Sequence, residues 1–267
     1  MTRLLIALCL FASLTACSGG ADDSPSPAVP AQKTVTAEGI YSGTSVANES
    51  IAGVVLDTGA YYVFFGPPNG ASGVAGVVFG TGISSNGNFS STDGRDFDIG
   101  NRNVTNASVA ATYVGRQSLD GAISIGGNSP SFTSTYDNLY DQAASLSSVV
   151  GSYSGQAATS AAVESATFTV SASGTIGGTS SLGCSFAGTL LPHGNHGGVY
   201  DITLSFGGAP CVFANASLTG VALFNPSSMT VVAALPNASR TDSVVFSGQM
   251  QKLVPAATTG GWNGLHG

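Results

Sequence analysis

Beyond residue 35 the apolar residues of this chain recur at every second position, in short runs rich in Val, Ile, Phe and Tyr that Gly, Asn, Asp and Pro interrupt. Alternation with period two puts successive side chains on opposite faces of an extended backbone, so it commits the chain to strands. Runs at 51–56, 60–65, 74–79, 97–99, 109–114, 122–125 and 132–136 read this way, and a second series follows at 166–170, 185–190, 199–206, 216–224, 229–235 and 243–249. Turn signals fall between the first set: Asp57-Thr58-Gly59, Pro67-Pro68-Asn69-Gly70, Asn86-Gly87, Asp93-Gly94 and Asp120-Gly121. Such regular spacing predicts an all-β chain of antiparallel sandwiches or barrels.

The two series open alike, with Gly39-Ile40-Tyr41-Ser42-Gly43 and Gly151-Ser152-Tyr153-Ser154-Gly155. We read them as the first strands of two related lobes, 35–137 and 151–252. Between them, 138–150 is a short helical connector with Leu139, Ala143 and Leu146 on one face. Each lobe has about 100 residues, enough for its own core.

Composition excludes one class of partner. Charged residues are 8% of the chain, where an average soluble protein has roughly 25%. The formal net charge is −7 and no basic run exists, so the phosphate neutralisation that nucleic-acid binding requires has no footing. The 37 glycines weaken helices and suit turns and closely packed strands.

Before the strands comes a leader. Arg3 supplies a basic start, 4–14 is an apolar run and Ala16 is a small residue before Cys17, the pattern of a signal peptide over 1–16. The run is too short to span a bilayer, which takes roughly 20 apolar residues. Leu14-Thr15-Ala16-Cys17 resembles the lipobox of bacterial lipoproteins. The resemblance implies that Cys17 carries acyl chains, and Ser18 in place of Asp implies sorting to the outer membrane. Residues 17–34, with Pro25, Pro27 and Pro30, then form a disordered tether, because so little buriable surface cannot offset the entropy of ordering. From 253 to 267 the alternation is gone and a disordered tail is expected.

Cysteine counting follows from the compartment. Cys9 leaves with the leader and Cys17 takes the lipid, so Cys184 and Cys211 remain as an even pair in an oxidising space and should form a disulfide. We place Cys184 at the opening of one strand and Cys211 at the opening of another.

The candidates for chemistry are few. Asp57 sits in Val54-Val55-Leu56-Asp57-Thr58-Gly59, the local signature of aspartic proteases, but that mechanism needs two carboxylates sharing a proton. A second Asp-Ser/Thr-Gly is missing from the sequence, and a hairpin turn accounts for the motif. His193 and His196 lie on a glycine-rich loop with Asp201 shortly after; three-residue spacing on such a loop fixes no metal geometry, so they read as surface histidines. No nucleophile elbow or phosphate-cradling loop is present, and no metal or cofactor is expected. Tyr61, Tyr62, Phe64 and Phe65 occupy both faces of one strand, which is either covered on both sides or displays an aromatic binding patch.

Residues 39–250 resemble a set of uncharacterised, two-lobed, β-rich proteobacterial outer-membrane lipoproteins. The resemblance rests on Tyr136-Asp137-Asn138-Leu139-Tyr140-Asp141, on the 151–155 opening and on Gly183-Cys184-x-Phe186-x-Gly188. It supplies no catalytic or ligand residues. The layout is also similar to the barrel lobes of surface lipoproteins that bind host transferrin or a complement factor, an analogy of fold. The expectation is a non-enzymatic binding or structural module, held to the membrane through the lipid on Cys17, with a possible protein partner. An acid hydrolase using Asp57 and a barrel for a small apolar ligand are the alternatives.

Overall fold

The computed structural model describes residues 35–71 and 73–251. The expected signal peptide, the lipidated Cys17, the tether and the tail lie outside the described residues. Strands β1 (Gly39–Ser45), β2 (Ser50–Val55), β3 (Ala60–Phe65), β4 (Gly76–Thr81), β5 (Ile83–Ser85), β6 (Asn88–Asp98), β7 (Asn103–Val114), β8 (Ser118–Ile125) and β9 (Ser131–Asp137) make the first lobe. They pair antiparallel in the order β4-β3-β2-β1-β9-β8-β7-β6-β5, and β4 also pairs with β6, which closes the sheet into a barrel. Short β5 pairs with the first half of β6 and β4 with the second, so β4 and β5 together act as one strand bent at Gly82.

The second lobe is β10 (Gly151–Ala158), β11 (Val163–Val170), β12 (Thr175–Ser180), β13 (Ser185–Pro192), β14 (Val199–Phe206), β15 (Ser217–Asn225), β16 (Thr230–Pro236) and β17 (Ser243–Gln251). Each pairs with the next and β17 pairs back to β10, an eight-stranded up-and-down barrel. Closure removes the sheet edges on which other chains could pair. Sequence left sandwich and barrel both open; the structure has two barrels.

Each barrel has its own core of inward-facing side chains. Tyr41, Val55, Tyr61, Val78, Phe89 and Phe132 fill the first. In the second the core includes Tyr153, Ile176, Leu190, Tyr200, Phe224 and Phe246. A third cluster belongs to both lobes: Val54, Phe64, Val77, Phe79 and Phe97 face outward from the first barrel and pack on Val199, Val221, Leu223, Ala234 and Val245 of the second. Strands in this contact are covered on both faces, and this is why 77–79, 221–224 and 233–235 read as unbroken apolar runs. The aromatic strand β3 is covered the same way. Tyr61 turns into the first barrel and Phe64 into the contact between barrels, while Tyr62 stacks on Phe79 with ring centroids 6.3 Å apart.

The two similar openings occupy the same place in each barrel. Tyr41 and Tyr153 are both buried, and each hydroxyl donates to the carbonyl four residues back: Ala37 at 3.0 Å and Val149 at 2.7 Å. At Gly43 and Gly155, two residues on, an added β-carbon would overlap the neighbouring strand's backbone, at Thr133 and at Ser247.

Several sequence expectations need correction. The connector holds no α-helix; it consists of 3-10 turns at Asn138–Asp141 and Leu146–Ser148. Asp137 accepts the Leu139 N–H and Ser145 accepts the Ser147 N–H, and such short polar side chains compete with helix interiors by bonding the local backbone. Asp93-Gly94 is no hairpin turn but a bulge inside β6, and Asp120-Gly121 lies within β8, where Asp120 accepts the Ser134 N–H across the sheet at 2.9 Å. Strand β12 escaped notice because Ile176 is its only large apolar residue. Cys211 opens no strand and sits in the loop between β14 and β15.

Candidate functional site

The two motifs set aside as a turn and a surface loop meet at the junction of the lobes. Asp57 leaves the end of β2 in the turn to β3, and His193 begins the loop from β13 to β14. His193 Nε2 lies 3.4 Å from Asp57 Oδ1, and its Nδ1 lies 2.9 Å from Asp201 Oδ1 on β14. Each ring nitrogen thus faces a carboxylate oxygen, one from each lobe. The His193 side chain is 15% exposed, so the reading as a free surface histidine is corrected.

His196 lies beside it. Its ring stacks on Tyr140, with centroids 4.1 Å apart and an interplanar angle of 11°. Its Nε2 is 3.6 Å from Glu38 Oε1, which also accepts the Tyr140 hydroxyl at 3.0 Å. Burial, and then the Glu38 carboxylate, hold the Tyr140 phenol well above its ordinary range; at neutral pH it is a donor and no base. The glycines of the loop are seated: the Gly197 N–H donates to the Gln142 carbonyl at 2.9 Å, and a β-carbon at Gly198 would meet Leu139. The loop is thus a packed joint between the connector and both barrels.

Asp57 therefore faces an imidazole where a proton-sharing dyad requires a second carboxylate. Among the described residues no cluster of three or more His, Cys, Asp or Glu has a metal-binding arrangement. What the cluster does geometrically is tie Glu38 and Asp57 of the first lobe to His193 and His196 of the second.

A second tie lies elsewhere on the interface. Arg240, in the β16–β17 loop, reaches Asp93 Oδ2 at 3.0 Å, the Asp93 carbonyl at 2.7 Å and the Phe79 carbonyl at 3.0 Å, with its guanidinium 5.6 Å from the Phe79 ring centroid. Partial burial pushes the Asp93 carboxyl up, but the Thr81 N–H, the Ser91 hydroxyl and Arg240 outweigh it and hold the pKa below the ordinary value. Arg102 adds a contact to the Ala161 carbonyl at 3.1 Å.

The disulfide is formed. Cys184, just before β13, bonds Cys211 with S–S 2.05 Å and Cα–Cα 4.6 Å across 27 residues of chain. It fastens the β14–β15 loop to one end of the second barrel. That barrel also encloses an apolar space of about 70 Å³, measured to the centre of a water-sized sphere, lined by residues such as Val170, Ile176, Ala222 and Phe224. Glu164, which sequence reasoning passed over, stands at one end of it. Glu38, Tyr140 and Arg240 were also missed; each is an isolated polar residue whose partners lie in the other lobe or in the connector.

No protein-family model and no curated protein matches the sequence. Among solved structures, a protein of unknown function of the DUF3598 family from Nostoc punctiforme is 10% identical with a TM-score of 0.29, over 80% of this chain and 94% of that one. Transferrin binding protein B from Neisseria meningitidis serogroup B is 11% identical with a TM-score of 0.28, over 76% of this chain and 58% of that one. A variant of the same protein from Haemophilus parasuis is 10% identical with a TM-score of 0.29, over 76% and 54%. The chain thus spans little more than half the length of the transferrin-binding chains, and none of the three similarities carries a function to it.

Proposed function

We propose that this chain is a lipid-anchored protein of the cell envelope, held on the outer membrane through acyl chains on Cys17, and that its paired barrels act as a non-enzymatic binding module. The anchor rests on Leu14-Thr15-Ala16-Cys17 after a short apolar leader, with the Pro-bearing stretch 17–34 as spacer. The observation that carries the non-enzymatic reading is the geometry of Asp57. Its carboxylate is engaged by His193 as part of a tie between lobes, so the one motif with a catalytic precedent serves to join the barrels. Two closed barrels fused along one side then present rigid walls and loop-bearing ends to a partner, protein or small molecule.

Metabolic labelling of producing cells with radioactive palmitate tests the anchor. The wild-type chain should take up label and fractionate with the outer membrane, and Cys17→Ser should do neither. Label retained by Cys17→Ser, or wild-type protein found free in the periplasm, would overturn it. The hydrolase alternative is tested by comparing wild type and Asp57→Asn on an unfolded protein substrate at acid pH. Cleavage by wild type that the substitution abolishes would make Asp57 catalytic.

A further inference from the structure

The two barrels have the same strand number and related openings, so each serves as a control for the other. They are not equally filled. The first keeps about 20 Å³ in its interior and the second about 70 Å³, both measured to the centre of a water-sized sphere. At 10–15 Å³ per water on that measure, the larger space takes a body of roughly five to seven heavy atoms.

Register shows where the difference arises. Gly43 pairs with Ile51 across β1–β2, and its counterpart Gly155 pairs with Ala166 across β10–β11. Ile51 and Ala166 thus hold equivalent inward positions, and the smaller residue leaves room in the second barrel. Two residues further along, Ser45 stands beside Glu49 in the first lobe, where Ala157 pairs with Glu164 in the second. Both lobes carry glutamate at this place. In the first, the Ser45 hydroxyl donates to Glu49 at 2.7 Å. In the second, alanine has no hydroxyl to offer, and among the described residues the only hydrogen bond to the Glu164 carboxylate is a long one of 3.3 Å from the Leu182 N–H.

The two ends of the cavity differ. At one end the Val149 carbonyl takes the Tyr153 hydroxyl, and Tyr200 donates to the Ser145 carbonyl at 3.0 Å, so the connector plugs the barrel with every phenol satisfied. At the other stand Glu164 and the half-buried rings of Phe186, Phe206 and Phe213, in sequence about 6.1 Å apart. Val163, Leu182 and Val212 are exposed at that same end. The disulfide holds the loop bearing Phe213 in place there.

We propose that the second barrel binds a small amphiphile, a short hydrocarbon chain or ring ending in an amine, with the hydrocarbon in the cavity and the ammonium on Glu164. An apolar cavity of this kind stays dry and accepts apolar bodies. A carboxylate lacking a strong partner at its mouth selects a cationic donor over a neutral or anionic one.

The test uses the full chain and three probes of equal length: n-hexylamine, hexan-1-ol and hexanoate, each followed by ligand-observed NMR and by thermal shift. Hexylamine should bind best, hexanol about tenfold more weakly and hexanoate not detectably. Ala166→Ile, which installs the first barrel's side chain, should abolish binding of hexylamine and hexanol while raising or preserving the melting temperature. Ala157→Ser, which gives Glu164 the hydroxyl that Glu49 has, and Glu164→Gln should leave hexanol binding within twofold and remove the preference for the amine. No binding of any probe to wild type, or binding that survives Ala166→Ile in a folded protein, overturns the cavity as the site. Amine preference that persists in Glu164→Gln overturns the role of the carboxylate. None of these outcomes bears on the anchor at Cys17.

Discussion

Asp96 is a costly residue in the first barrel. It is 6% exposed on β6, directly opposite Thr105 of β7, and among the described residues neither its Oδ1 nor the Thr105 hydroxyl has a partner. Burial, with a smaller push from Asp98, raises its pKa from 3.8 to about 6. A carboxyl whose folded pKa is raised gives stability that is fully present below the unfolded value and lost as pH rises through the folded one. For Asp96 the window is therefore about pH 4 to 6, and near neutrality the barrel carries a buried charge at a cost on the order of 3 kcal/mol. Asp96→Asn should stabilise the protein at pH 7 by about that order and have little effect at pH 4, as read by urea unfolding at both values. An equal effect at both would show that the charge is not what matters.

At the scale of the strand, glycine is used in two ways that composition cannot separate. A β-carbon at Gly220 of β15 would overlap the carbonyl oxygen of Ala234 on β16, so this glycine lets two strands approach where the barrel curves. At Gly177 of β12, nothing among the described residues lies within 4 Å of that position. Gly220→Ala should lower stability by about 2 to 3 kcal/mol, whereas Gly177→Ala should raise it by about 0.5 kcal/mol by narrowing the unfolded ensemble. Denaturant midpoints for the two variants should move in opposite directions. The same distinction separates what sequence could and could not tell. Asn86-Gly87 is a true hairpin turn, with both residues at positive φ, but Asp120-Gly121 looks alike in sequence and is mid-strand, because Gly121 faces the backbone of β7. Strand existence was legible where alternation included several Val, Ile or Phe, and failed at short β5, at the first half of β6 and at β12, whose inward positions are Ile176, Gly178 and Ser180. The site was legible only in pieces. Asp57 and His193 stood out individually, but they are 136 residues apart and meet because the lobes dock. Glu164 gave no signal at all until the register of β10 and β11 put it opposite Ala157.

The whole molecule is held by the face the barrels share. Phe64, Val77, Phe97, Ala234 and Val245 are each 2% exposed or less, and each of the larger side chains is worth about 1.5 to 3 kcal/mol when buried. Polar ties at Asp57–His193 and Asp93–Arg240 lie on the same interface; being partly exposed they add orientation more than energy. Separated, either barrel would show a continuous apolar wall to water, so neither lobe should unfold while the other stays native. Calorimetry on the wild type should give one transition with equal van't Hoff and calorimetric enthalpies. Val245→Asp places a charge in the contact, among the apolar side chains of the shared cluster. Its transition should move down by about 10 °C or more and split in two, each lobe melting by itself. Val46→Asp, at an exposed position of the first lobe, should leave the single transition in place. A single transition retained by Val245→Asp at the wild-type temperature would mean that the barrels owe their stability to their own interiors and that the shared face contributes little.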